Sequence, residues 1–475
     1  MTEAVSAPAF SARRARLLLA LLPFAVGCAA VPSNDTDRRD REAVPVPPPP
    51  AVAALVEEAH ERARAPGLED RTFSPETWWG VVEPWVEASA SLRMEEVGRS
   101  AEGRPLRLVS YGEGPVPVLL WSQMHGNEST ATMALADLFR WIAEEPDDPF
   151  LLELGSRLTI HVIPILNPDG AARFQRRNAQ GVDVNRDARA LATPEGRALK
   201  EVRDRLEPAF GFNLHDQAVG TRVGRTDRGT AIALLAPPFN EAREVNPVRR
   251  RAMEVAAVIR TALEPHVGGY MARWDDTFNP RAFGDLMTAW GTSTILIESG
   301  GWEGDPEKQF LRKLNFIGIL TALDAIARES YRDFPVELYS SLPQNGRRVG
   351  DLLIRDATIA VPGLVPLPGD VLVNFEHPLA ERGATWADVG DLRETEARDT
   401  IFVEGLYLVP LEEGLAAEGG LVGEAGPVGR QLAPGTPAHF VLSRDPEGRD
   451  VVWELRGDVD PERPRPPGQR RDRGG

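Results

Sequence analysis

His125 and Glu128, in the stretch WSQMHGNEST, stand three residues apart directly after the apolar run VPVLLW. An imidazole and a carboxylate at that spacing can clamp a divalent cation, zinc above all, when both sit at a strand end. They can equally share a surface turn, so the pair decides nothing without a third ligand, a base and a group that grips a substrate. His215, closing the apolar run FGFNLH, offers the third ligand. Two histidines and one carboxylate leave zinc an open position for hydrolytic chemistry. Glu298 ends another apolar run, STILIE, and its place suits a proton acceptor. Pairing with a nearby arginine or capping a helix is the structural alternative for that glutamate. Five arginines, Arg173, Arg176, Arg177, Arg186 and Arg189, crowd the stretch NPDGAARFQRRNAQGVDVNRDAR. They suit bidentate recognition of a carboxylate, or else form a solvated face.

These side chains require a scaffold that brings distant strand ends together. The middle of the chain alternates short apolar runs (VPVLLWS, LTIHVIPIL, FGFNLH, STILIE) with helical periodicity (TATMALADLFRWIAEE, TPEGRALKEVRDRLEP), and NPDG reads as a turn. Strands without strict polar alternation, separated by amphipathic helices, predict an α/β fold: a mixed, mostly parallel sheet with helices on both faces. Ligand sites in such sheets lie at the carboxyl ends of the strands. His161, inside LTIHVIPIL, reads as a core histidine, and His60, His266, His377 and His439 are given no chemical role. Upstream, AVAALVEEAHERA reads as a helix, and a second helix follows with Ser74 as its cap. Beyond residue 335 short β-prone runs split by glycine and proline predict a small all-β accessory domain over 335–460, with a tail, 461–475, too polar and proline-rich to fold.

With 475 residues, 42% of them hydrophobic, the chain is long enough for more than one core. A formal net charge of −17 argues against a nucleic-acid partner, which needs concentrated basic surface. The single cysteine, Cys28, excludes an intrachain disulfide and a thiolate zinc site. Arg13, Arg14 and Arg16 precede the apolar LLLALLPFAV, which at ten residues is too short to span a bilayer. The segment ends in AVGCAA and resembles a bacterial lipoprotein signal, except that Ala25 replaces the usual leucine. On this reading 1–28 is a signal, Cys28 is lipidated, 29–50 is a proline-rich linker, and the exported protein is held at a membrane facing the periplasm or cell surface. A buried free cysteine in a short helix and cleavage after Ala30 are the competing outcomes. The catalytic domain is then expected over 51–332.

Taken in order, VGRSAEGRPL, HGNE, NPDG, GVDVNR, NLH and ILIE resemble the M14 zinc carboxypeptidases, over about 205 residues from Val97 to Gly301. The resemblance implies one zinc per chain held by His125, Glu128 and His215, with Asp183 orienting His125. It implies that Arg176 polarises the scissile carbonyl and that Asn185 and Arg186 grip the terminal carboxylate of a peptide substrate. Glu298 would deprotonate the zinc-bound water and pass the proton to the leaving amine. Many members carry a capping tyrosine some twenty residues before the catalytic glutamate; here that region reads RWDDTFNPRAFGD, Tyr270 is set too far back, and Asp275 and Asp276 are expected to face the substrate instead. A zinc deacylase acting on N-acyl amino acids and a non-catalytic surface binding protein on the same fold are the alternatives.

Overall fold

The computed structural model describes residues 44–379, 381–411 and 432–455; Cys28, its signal-like segment and the tail from 461 lie outside the described residues. In chain order the first strands are β1 (Leu92–Arg99), β2 (Pro105–Tyr111), β3 (Val116–Trp121), β4 (Leu158–Ile163), β5 (Phe210–Asp216), β6 (Thr221–Val223), β7 (Ile232–Leu235), β8 (Met271–Arg273) and β9 (Ser293–Ser299). Eight of them form one sheet in the order β1-β2-β4-β3-β5-β9-β7-β8, while β6 pairs with β10 (Asn345–Arg348). The pairings β4–β3, β3–β5, β5–β9 and β7–β8 are parallel, and those of β1, β2 and the β9–β7 pair are antiparallel. The sheet is therefore mixed, with the parallel part at its centre. Every residue of β9 is buried, as expected for a strand covered on both faces.

Alternation along the central strands decides where the chemistry lies. Val118 and Leu120 of β3, Phe212 and Leu214 of β5, and Ile295 and Ile297 of β9 enter one core with the helices Thr130–Glu144, Pro247–Val267 and Gln309–Ala327. Leu119 and Trp121 enter a second core on the other face, with Leu199 and Val202 of the helix Pro194–Leu206 and with Phe283 and Met287 of the helix Phe283–Ala289. Asn213 and His215, Leu296 and Glu298 have the opposite parity to the first set, so all four point to this second face. In the β5–β9 register His215 lies directly beside Glu298. Two runs that sequence periodicity treats separately thus deliver an imidazole and a carboxyl group as neighbours.

Several elements are absent from the sequence reading. The 21-residue helix Pro247–Val267 starts at an Asn246 cap whose side chain accepts from the Arg249 amide. Strand β7 returns antiparallel to β9, and NPDG is a short helix, Pro168–Ala171, capped by Asn167, rather than a plain turn. Beyond these, β11 (Gly350–Ile359), β12 (Leu367–His377), β13 (Arg382–Gly390), β14 (Ala397–Phe402), β15 (Tyr407–Pro410), β16 (Phe440–Ser443) and β17 (Val451–Leu455) make a seven-stranded sheet. It has its own apolar core around Ile354, Val371, Val373, Trp386 and Phe440. Among the described residues no helix is long and apolar enough to cross a membrane.

Candidate metal centre and substrate cavity

His125 and Glu128 lie in the loop that carries the chain from β3 into the helix Thr130–Glu144, and His215 is the sixth residue of β5. Their ligand atoms all fall within 4.8 Å of one another. Glu128 Oε2 is 2.6 Å from His215 Nδ1, and Glu128 Oε1 is 2.9 Å from His125 Nδ1. His125 Nε2 is 2.9 Å from Asp183 Oδ1, which fixes the ring and turns Nδ1 toward the centre. That Nδ1 is buried and has no hydrogen-bond partner, since its contact with Glu128 lacks hydrogen-bond geometry. A buried, orphaned imidazole nitrogen facing a carboxylate and a second imidazole fits a divalent cation. Burial opposes ionisation of Glu128, yet the two imidazoles outweigh it and hold the carboxyl well below its usual range. Replacing any one of His125, Glu128 and His215 with alanine should drop bound zinc well below one per chain, because each supplies one of three protein ligands. Elemental analysis of the folded variants checks this, and full occupancy in any of them removes that residue from the ligand set.

Glu298 is buried on the same face, and its Oε2 has no hydrogen-bond partner. Burial, with Glu128 and Asp216 adding negative charge nearby, pushes its carboxyl well above the usual range. The arginine-pairing alternative does not hold among the described residues, where Glu298 makes no ion pair. Behind this carboxyl lies a network that the sequence reading missed. Asp216 Oδ2 accepts from Lys308 Nζ at 3.0 Å, Arg71 Nη2 at 3.2 Å and Thr130 Oγ1 at 2.7 Å, and the Asp216 amide donates to Glu128 Oε2 at 3.2 Å. Lys308, fully buried, also donates to the Ser299 carbonyl. The run WEGDPEKQF gives no sign of this, because nothing in it marks a lysine among acidic and turn residues for burial.

A cavity of about 450 Å³ opens from this centre, lined in part by His125, Glu128, Arg176, Asn185, Arg186 and Glu298. The arginine cluster divides. Arg173 pairs with Glu102, Arg177 bonds the Gly181 carbonyl, and Arg189 is exposed. Only Arg176 and Arg186 line the cavity. Arg176 bridges Glu128 and Asp183, at 3.0 Å from each. Arg186 makes one bond to the Asn185 carbonyl and no ion pair among the described residues. Asn185 Oδ1 is held by the Phe283 amide, and its Nδ2 lies 3.5 Å from His215 Nε2.

The far part of the cavity corrects one expectation and answers another. Asp275 lines it beside Trp274 and Phe278, but Asp276 turns away to Arg249 at 2.9 Å and Arg243 at 3.2 Å. Tyr270 packs on Trp302 and is not a lining residue. Asp285, unmarked in the sequence reading, also lines the cavity; it is buried, accepts from the Asn279 amide and makes no ion pair among the described residues. Burial pushes its carboxyl up to about 7. The other histidines stay out of the cavity: His161 bonds Ser110, His60 lies 3.4 Å from Asp137, and His266 lies 3.4 Å from Glu57.

Residues 86–213 match the model of the Peptidase_M14 family, described as zinc carboxypeptidase. Carboxypeptidase 2 of Trichophyton rubrum is 28% identical over 172 residues, 33% of this chain and 32% of that protein. Carboxypeptidase SOL1 of Arabidopsis thaliana is 31% identical over 102 residues, 20% of this chain and 21% of that protein. The chain thus spans about a third or less of the length of these curated relatives. A solved metallo-carboxypeptidase from Burkholderia cenocepacia aligns over 54% of this chain and 70% of its own, with 18% identity and a TM-score of 0.43. The matched segment contains His125, Glu128, Arg176, Asp183, Asn185 and Arg186, and stops just short of His215. Over this segment the chain is similar to the zinc carboxypeptidase family.

Proposed function

We propose that the protein is a zinc metallocarboxypeptidase that hydrolyses the C-terminal peptide bond of peptides. The observation that carries this reading is the pair Arg176 and Arg186 lining one cavity with the His125–Glu128–His215 cluster and Glu298. Zinc, held by His125, Glu128 and His215, supplies Lewis acidity when bound. Arg186, with no carboxylate partner among the described residues, takes the terminal carboxylate of the substrate, aided by Asn185. Arg176 faces the scissile carbonyl and steadies the charge that grows on its oxygen. Glu298, at the edge of the same cluster, accepts the proton of the attacking water and returns it to the leaving amine.

The carboxyl groups of Asp275 and Asp285 favour a terminal residue whose side chain carries a donor or a positive charge. Parallel assays on short peptides and on N-acyl amino acids test the reaction class. Faster turnover of the peptides supports the proposal; faster turnover of the acyl compounds makes the protein a deacylase, and turnover of neither makes it a binding protein. We also propose export with a lipid on Cys28, supported by the arginines and the ten-residue apolar run before it. Cys28→Ser should then move the protein from the membrane to the soluble fraction, and a salt-resistant membrane pool of that variant would remove the anchor.

A further inference from the structure

The C-terminal sheet reaches the catalytic loop through one hairpin. His377 and Arg382 are register partners that close the β12–β13 pair. The His377 ring stacks on Phe174, with centroids 5.5 Å apart and planes at 17°. Arg382 Nη2 donates to Glu307 Oε1 at 3.1 Å. Both contacted residues abut the site: Phe174 lies two positions before Arg176, and Glu307 directly precedes Lys308.

Phe174 has a φ of 47°, a left-handed conformation that is strained for a bulky residue and persists only where its surroundings enforce it. The Phe174 amide donates to the Ala171 carbonyl and the Gln175 amide to the Gly170 carbonyl, closing that turn, and the ring is held by the His377 stack and by the Arg71 guanidinium, 5.2 Å from its centroid. Arg71 in turn donates to Asp216, and its amide donates to the second oxygen of Glu307. The hairpin, Phe174, Arg71, Glu307 and Asp216 therefore form one closed set of contacts around the side of the centre where Arg176 emerges.

We propose that the closing pair of this hairpin, His377 with Arg382, is a clamp that holds the Phe174–Arg176 segment in register with the metal centre, so that the accessory sheet supplies positioning residues for catalysis. A small displacement of Arg176 would weaken its hold on the reacting carbonyl without removing the metal or the Arg186 grip, so the effect belongs in kcat more than in KM. This assignment rests on the peptidase reading for its kinetic consequence, and on geometry alone for the clamp.

The test uses zinc-loaded full-length protein and three variants, His377→Ala, His377→Phe and Arg382→Ala. Hydrogen exchange over residues 172–178 should quicken in His377→Ala and Arg382→Ala and return to wild type in His377→Phe, which keeps a ring to stack. On a free-acid peptide, His377→Ala should lower kcat about tenfold and move KM less than about twofold, with recovery in His377→Phe. The same change made in an Arg176→Ala background should cost almost nothing, because the two residues act through one contact chain. Wild-type exchange in both alanine variants, or an equal kcat cost with and without Arg176, overturns the clamp. If wild-type protein cleaves no peptide, the peptidase reading fails, and the exchange result still decides the clamp.

Discussion

Glu298→Gln is expected to keep its zinc and its fold while losing about three orders of magnitude in turnover, roughly 4 kcal/mol of transition-state stabilisation. The amide matches the carboxylate in size and sits in the same buried strand-end position beside His215. It cannot accept the water's proton, so the loss should fall on kcat rather than on KM. Glu298 has no ion pair among the described residues, and the substitution breaks no structural contact of that kind. Steady-state kinetics with metal analysis on the same preparation checks this. Near-wild-type turnover with full zinc would return Glu298 to a structural role.

The second large effect concerns the substrate. Amidating the C-terminus of a cleaved peptide should cost about 2–4 kcal/mol in kcat/KM, since a guanidinium set for a carboxylate then faces a neutral group and keeps donors unpaired. Arg186 makes no ion pair among the described residues, so the grip is available to the substrate. Arg186→Ala should erase most of the distinction between acid and amide while leaving zinc bound. Equal rates on the two peptides with wild-type enzyme would sink the carboxylate grip.

Those two expectations rest on residues that were legible before any coordinates. His125, Glu128, His215 and Glu298 each end or follow an apolar run, and a strand end in a covered sheet is where polar side chains gather. Their mutual neighbourhood was less legible. That His215 stands beside Glu298 is a matter of inter-strand register, which no single segment encodes. Asp216, Lys308 and Arg71 were missed because a buried charge network is recognised by who meets whom, and its members come from three distant parts of the chain. Asp285 was missed for a related reason: nothing in FGDLMTA marks its acid for burial, and only packing against the cavity buries it. The arginine stretch shows the converse. Sequence marked five candidates, and local partners such as Glu102 withdraw the ones that do not reach the cavity. The Asp275–Asp276 pair divides in the same way, because Arg249 on an unanticipated helix draws Asp276 aside.

The most direct test of the central claim is digestion of a mixed library of short peptides by the zinc-loaded protein in ¹⁸O-labelled water, read by mass spectrometry. The expected products are shortened by one residue at the C-terminus, each carrying one ¹⁸O in its new terminal carboxylate, with terminal lysine and arginine released ahead of aspartate and glutamate. Products shortened at the N-terminus, cut internally, or left intact while acyl groups are lost would contradict that claim.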